Sequence, residues 1–337
     1  MTTKRERVMA ALKGLPVDRV PVAFWLHNFA TENSAEGLAG ETLRLARTFD
    51  WDYLKPQSRA QCFAEMWGLR YQASSERAAP FTVTHAPFGG EAGDGEAGLA
   101  SLEPVDPRTG ALGEQLDALR LIRAGVGPDT PIIWTVFSPL MVMPFLFRGG
   151  RAQALELMRS APAVVERALA AVAETLRGYA HACLEAGADG LFYATNLATQ
   201  SLTTTAECRR FQRPHDLRVL GAVEHTPFNL LHVCGEGAHF DEFADYPVTA
   251  FSWATVSGNP TLAEGHRKTG RAVVGGFPGK PAIATFTGPA LAARARSAIA
   301  EMRGRYLLLG PDCSINPDMP EPLLHVAGAA AREPRPA

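Results

Sequence analysis

Several features that would mark a specialised class are missing from this sequence. Charge of one sign is the first: 33 Lys and Arg against 35 Asp and Glu leave a net charge of −2. Without a basic excess the chain has little with which to neutralise a phosphate backbone, so nucleic acid is not an expected partner. Cysteine is scarce and odd in number, with five residues scattered at 62, 183, 208, 234 and 313, which argues against a secreted disulfide scaffold. The opening MTTKRERV is charged and has no apolar stretch of the kind a signal peptide needs. One long uncharged run exists, at residues 130–147, but Pro131, Pro139 and Pro144 interrupt it and Ser138 sits within it. It reads as a buried strand followed by an apolar loop rather than a membrane span. No short internal repeat is visible. These absences lead to an expectation of a cytoplasmic protein that binds neither membrane nor nucleic acid.

What is present is a strand-then-helix alternation in a chain of 337 residues, 46% of them hydrophobic, enough for a core that needs no covalent staples. Short apolar runs at 20–25, 53–55, 132–137, 190–194, 230–233, 250–253, 272–277 and 306–310 give eight candidate strands, continuous as buried parallel strands are. Helical segments lie between them. Thr3 and Glu6 form a capping box, Ser160 with Pro162 opens a long helix that Gly187 closes, and Val165, Leu169, Val172, Leu176 and Tyr179 make its apolar stripe. Further helices are expected from Thr205, from Asn259 and Pro260 to Gly270, over 289–303 and over 320–332. This pattern predicts an α/β fold, a closed (β/α)8 TIM barrel, with an open doubly wound sheet as the alternative. Residues 68–106 break the alternation and read as a β-hairpin and Gly-rich loop inserted between strands two and three. The expected organisation is one barrel domain over 1–331 and a flexible tail over 332–337.

His232 and Cys234 stand two apart at the end of the fifth candidate strand, so both side chains point to one face. Cys313 follows the last strand, across a barrel mouth from the fifth. All three lie at C-terminal strand ends, where barrels keep their active sites. One His and two Cys suit zinc with an open fourth position, and thiolates disfavour magnesium and calcium. Spacing alone also allows two unrelated buried cysteines and a packed histidine. Cys62, Cys183 and Cys208 read as structural. Other polar groups just past strand ends are candidate substrate contacts: His27 and Asn28 after strand one, Lys55, Gln57 and Arg59 after strand two, and Tyr193, Asn196 and Gln200 around the end of strand four. His27 and Tyr193 are the expected helpers in proton transfer. Gly276, next to Gly275 at the end of strand seven, is expected to let a ligand approach the backbone. Asp50, Asp52 and Asp189 precede strands and read as structural caps at the barrel bottom.

The opening TKRERVMAALKG from Thr3, then PVDRVPV from Pro16, FDWDY from Phe49, AGADG from Ala186, LHVCG from Leu231 and the pair Gly275-Gly276 together resemble the uroporphyrinogen decarboxylase superfamily. The resemblance runs over nearly the whole chain and implies an α/β barrel. True decarboxylases of that superfamily carry arginines after the first strand to hold substrate carboxylates; here the segment FWLHNFA from Phe24 contains none. His232, Cys234 and Cys313 are similar one by one to the zinc motif of the second branch, the methylcobalamin:thiol methyltransferases. That branch implies a zinc ion (Zn2+), a small thiol acceptor, and methylcobalamin as donor, presented free or by a corrinoid protein partner, with the run 138–147 as a docking face. A homodimer is a further expectation. A lyase acting on a smaller acid and a non-catalytic corrinoid or tetrapyrrole binder are the alternatives.

Overall fold

A computed structural model describes residues 2–90, 94–256 and 258–333. The Gly-rich loop expected at 89–95 therefore lies partly outside the described residues, as does the tail beyond Glu333. Strands β1 (Arg70–Gln72) and β2 (Thr82–His85) pair antiparallel as the expected hairpin. Strands β3 (Ile133–Phe137), β4 (Gly190–Thr195), β5 (Leu230–Val233), β6 (Ala250–Trp253), β7 (Ala272–Phe277) and β8 (Leu307–Pro311) then form one parallel sheet in sequence order. Every residue of β3, β4, β5, β6 and β8 is buried, because helices cover one side and the barrel interior the other.

The ring closes through the first two apolar runs, which are shorter and less regular than expected. Val22 bridges Leu309 of β8 and Leu54 bridges Ile132 beside β3, both in parallel. Between those runs the Asp52 amide donates to the Val22 carbonyl at 3.0 Å. Eight segments thus surround the core, although only six extend into named strands. The fold is the α/β barrel.

Several boundaries differ from the sequence reading, each for a local reason. The segment after β3 is a helix, Pro139–Leu146, rather than a loop. Pro139 occupies its first turn, where a missing N–H costs nothing, and Ser138 caps it by accepting from the Met141 amide. Thr204, not Thr205, caps the short helix Thr205–Glu207, and Thr261, not Asn259, caps Leu262–Thr269; both form capping boxes, with Glu207 and Glu264. The long helix Pro162–Glu185 starts from Ala161 without a side-chain cap. No helix among the described residues is long and apolar enough to cross a membrane.

Carboxylates pin the bottom of the barrel. The fully buried Asp52 accepts from Arg7 Nη1 at 2.9 Å, from Arg19 Nη2 at 2.8 Å and from the Val22 amide at 2.9 Å. Asp189 accepts from Arg123 at 2.7 Å, Arg5 at 2.7 Å and the Ile132 amide at 2.8 Å. Asp50 ends the helix Ala35–Phe49 in the left-handed region. Replacing Asp52 by Ala takes the carboxylate away from Arg19 and the Val22 amide while Arg7 keeps Asp18, and should lower unfolding stability by about 1–3 kcal/mol in a urea titration. The metal content of the folded protein should not change, because the substitution lies at the opposite end of the barrel.

Candidate metal centre

β5 delivers His232 within the strand and Cys234 just past it, where the Cys234 amide still pairs with the Thr195 carbonyl of β4 at 2.8 Å. Cys313 leaves β8 two residues beyond its end. Closure of the ring brings these groups together: their ligand atoms all lie within 4.8 Å of one another. The loop after β7 presses directly on the centre, since a Cβ on Gly279 would sit 2.9 Å from Cys313 Cβ.

The imidazole of His232 is buried, and its Nδ1 lies 3.2 Å from the Ser252 hydroxyl on β6, its register partner. Nε2 is buried and has no hydrogen-bond partner among the described residues. A buried ring nitrogen left unpaired is costly, so this atom fits a missing cation better than a packed histidine. The two sulfurs point the same way. The Cys234 thiol donates to Cys313, and with help from His232 this holds Cys313 well below the usual thiol range, while Cys234 is driven up. One imidazole nitrogen and two cysteine sulfurs within reach of one point form a donor set that suits zinc.

A second set of polar groups lies at the same mouth. His27 Nδ1 is 2.8 and 2.9 Å from the two Glu32 carboxylate oxygens, so it carries the proton and donates. His27 Nε2 then accepts from Gln57 Nε2 at 2.8 Å, and Gln57 Oε1 accepts from Lys55. Lys55 Nζ lies 4.5 Å from the centroid of the Phe192 ring, which stacks on the His232 ring at 5.2 Å. Sequence reasoning missed Glu32, Phe192 and Ser252. Only Ser252 had a usable signal, as a small polar residue in an otherwise apolar strand beside β5.

Three expected site residues are corrected. Tyr193 is fully buried on the outer face of β4, and its hydroxyl donates to Asp216 on the helix Arg213–Leu220 at 2.7 Å, so it does not reach the mouth. The inward positions of β4 belong to its neighbour Phe192 and the residues in phase with it. His27 does lie at the mouth, but both of its nitrogens are engaged, which leaves it no free base atom. Gly276 has φ +105°, and a Cβ there would meet Ala298 and Leu309 at 2.9 Å; its bareness admits a helix, not a ligand. Arg59 turns away to Glu65 and Glu114. Asn28 and Asn196 are half-buried, each with a carbonyl oxygen that has no partner among the described residues. Cys62, Cys183 and Cys208 are buried apart from the centre.

The sequence matches the family described as Uroporphyrinogen decarboxylase (URO-D) over residues 3–333. A Methylcobamide:CoM methyltransferase, MtaA of Methanosarcina barkeri, is 26% identical over 335 residues and covers 94% of each chain. A Uroporphyrinogen decarboxylase of Sorangium cellulosum is 27% identical over 167 residues, 45% of this chain and 47% of its own. A solved methyltransferase from Methanosarcina mazei shares the fold with TM-score 0.84 at 22% identity, covering 98% of both chains.

Replacing Cys234 or Cys313 by Ala should abolish retention of zinc through gel filtration, as two remaining ligands bind weakly. Ser252→Ala should weaken zinc affinity by about 10- to 100-fold in a competition titration, because the ring orientation is no longer fixed.

Proposed function

The chain belongs to the uroporphyrinogen decarboxylase family, and on that premise we propose that it is a zinc-dependent methyltransferase with a small thiol as acceptor. The observation that carries this reading is the meeting of His232 Nε2, Cys234 Sγ and Cys313 Sγ at one point of the barrel mouth. Similarity over nearly the whole chain to a Methylcobamide:CoM methyltransferase supports it, and so does the absence of Arg from residues 24–30, where a polycarboxylate would need cations.

His232, Cys234 and Cys313 would hold the ion, their two thiolates balancing its charge. Bound there, zinc supplies a Lewis acid that keeps an acceptor sulfur ionised, and hence nucleophilic, at neutral pH. The protein does the rest by placement. Ser252 sets the His232 ring so that Nε2 faces the centre. Phe192 backs that ring and keeps water from one side. Asn28, Lys55, Gln57 and Asn196 are the polar groups offered to the acceptor at the rim. The methyl donor is a methylated corrinoid such as methylcobalamin, arriving from outside the barrel; the helix Pro139–Leu146, none of whose residues is exposed, is packed into the body and does not offer the docking face expected of the run 138–147.

Purified protein should bind one zinc per chain. Chelation should remove the metal without unfolding the protein, by circular dichroism, because the apolar core does not involve the centre. Zinc X-ray absorption should gain one sulfur neighbour on addition of a small thiol, and free methylcobalamin should then be demethylated. A zinc shell that ignores thiols, or turnover of uroporphyrinogen, would move a lyase reading to first place.

A further inference from the structure

Among the polar groups at the rim, Lys55 has surroundings that simple contact with the acceptor does not explain. Lys55 is 6% exposed, and among the described residues no carboxylate forms an ion pair with it. Its single hydrogen bond runs to Gln57 Oε1. The orientation of that amide is fixed. Glu32 accepts from His27 Nδ1; the Gln57 amide then places its NH2 against His27 Nε2 and its carbonyl against Lys55. A carbonyl can only accept. The chain from Glu32 therefore holds Lys55 through one N–H and makes no use of the nitrogen lone pair.

The surroundings disfavour a permanent ammonium. Burial is the largest influence on Lys55 and brings it down to about 7, with Lys280 acting in the same direction and the charges of Cys313 and Glu32 opposing. Phe192, which carries Lys55 over its ring, also stacks on His232. Of the other ionisable groups near this space, His27 has both nitrogens engaged, Glu32 accepts from His27 Nδ1, and Lys280 is exposed to solvent.

We propose that Lys55 is the proton acceptor for the incoming thiol, an assignment that rests on the thiol methyltransferase reading. The thiol S–H bond breaks, a new N–H bond forms on Nζ, and the electron pair stays on sulfur. That pair then forms the bond to the methyl carbon while the bond from methyl to its donor breaks, with its electrons leaving on the donor. Lys55 returns its proton to solvent when the thioether departs. Charge balance favours this route. Ionising the thiol adds one negative charge to a poorly hydrated site, and protonating Lys55 adds one positive charge beside it, whereas loss of the proton to solvent would leave the new charge uncompensated. Gln57 and His27 act as positioning residues for the amine.

Calorimetry of 2-mercaptoethanol binding to the zinc-loaded protein at pH 8, in buffers of differing ionisation enthalpy, counts the protons released. The wild type should release close to none, because the proton moves from sulfur to Lys55. Lys55→Gln and Lys55→Arg should each release about one, since the free thiol is largely protonated at that pH and neither variant can accept a proton. Thiol affinity of the wild type should rise with pH up to about 7 and then level off, because binding to the neutral amine releases no proton, while both variants should keep rising up to the thiol's own titration range. Thermal unfolding checks that the variants are folded. Equal proton counts in wild type and variants would overturn the assignment while leaving thiol binding intact, as would an Arg variant that matches wild type, which would make Lys55 a fixed cation. A wild-type protein whose zinc binds no thiol would remove the functional reading and this assignment together.

Discussion

Closure of the ring is the constraint on which the mouth depends. β8 pairs with β7 on one side and, through Leu309, with the irregular run at Val22 on the other. The run at Leu54 then hands the ring on to β3. Without those two bridges the sheet would be open, and Cys313, 79 residues after Cys234 in the chain, would stand at the far edge from β5. With them, sulfur meets sulfur across the mouth. Chain entropy opposes such a distant contact, and the cost is met by the continuous buried core of the strands rather than by the centre itself.

The two ends of the barrel treat polar groups in opposite ways. At the bottom each buried charge is matched: Asp52 by Arg7 and Arg19, Asp189 by Arg5 and Arg123. At the top the matching is left incomplete. Among the described residues His232 Nε2 has no hydrogen-bond partner, Cys234 and Cys313 are brought together beside it, and Lys55 has an amide carbonyl where a carboxylate would be expected. Unpaired buried groups lower stability, so their concentration at one end is the mark of a site shaped for something that arrives there.

The parts of this arrangement that a sequence shows are those governed by short-range periodicity. His232 and Cys234 could be paired because strand side chains alternate, and Cys313 could be joined to them because it follows the last apolar run. Alternation does not say which phase faces inward, and that is why Tyr193 was assigned to the mouth in place of Phe192. Parity is decided by the helices packed outside, here by Asp216 waiting for the Tyr193 hydroxyl. The helix after β3 was hidden because its prolines read as breakers, when Pro139 in fact begins it. Gly276 was assigned to a ligand because nothing local reveals Ala298, more than 20 positions away, pressing on its bare α-carbon. Lys55 was placed correctly at the end of its run, but its lowered basicity comes from burial, a property of the whole fold.

The misassigned tyrosine belongs to a buttress behind the centre. Asp216 accepts from Tyr193 and from Tyr246, and burial raises its carboxyl to about 7. One turn earlier, Gln212 lies in a widened helical turn, Cys208–Gln212, and donates to the Thr195 hydroxyl at 2.6 Å. Wide turns of this kind insert an extra residue and re-aim a side chain without breaking the helix. Thr195 in turn offers its carbonyl to the Cys234 amide. Polar contacts therefore continue from the outer helix, through the end of β4, to the backbone of a sulfur ligand. The outer layer holds Cys234 at the end of its strand while its side chain stays free to meet Cys313, so rigidity at the mouth is supplied from behind the sheet and the open side is left for substrate.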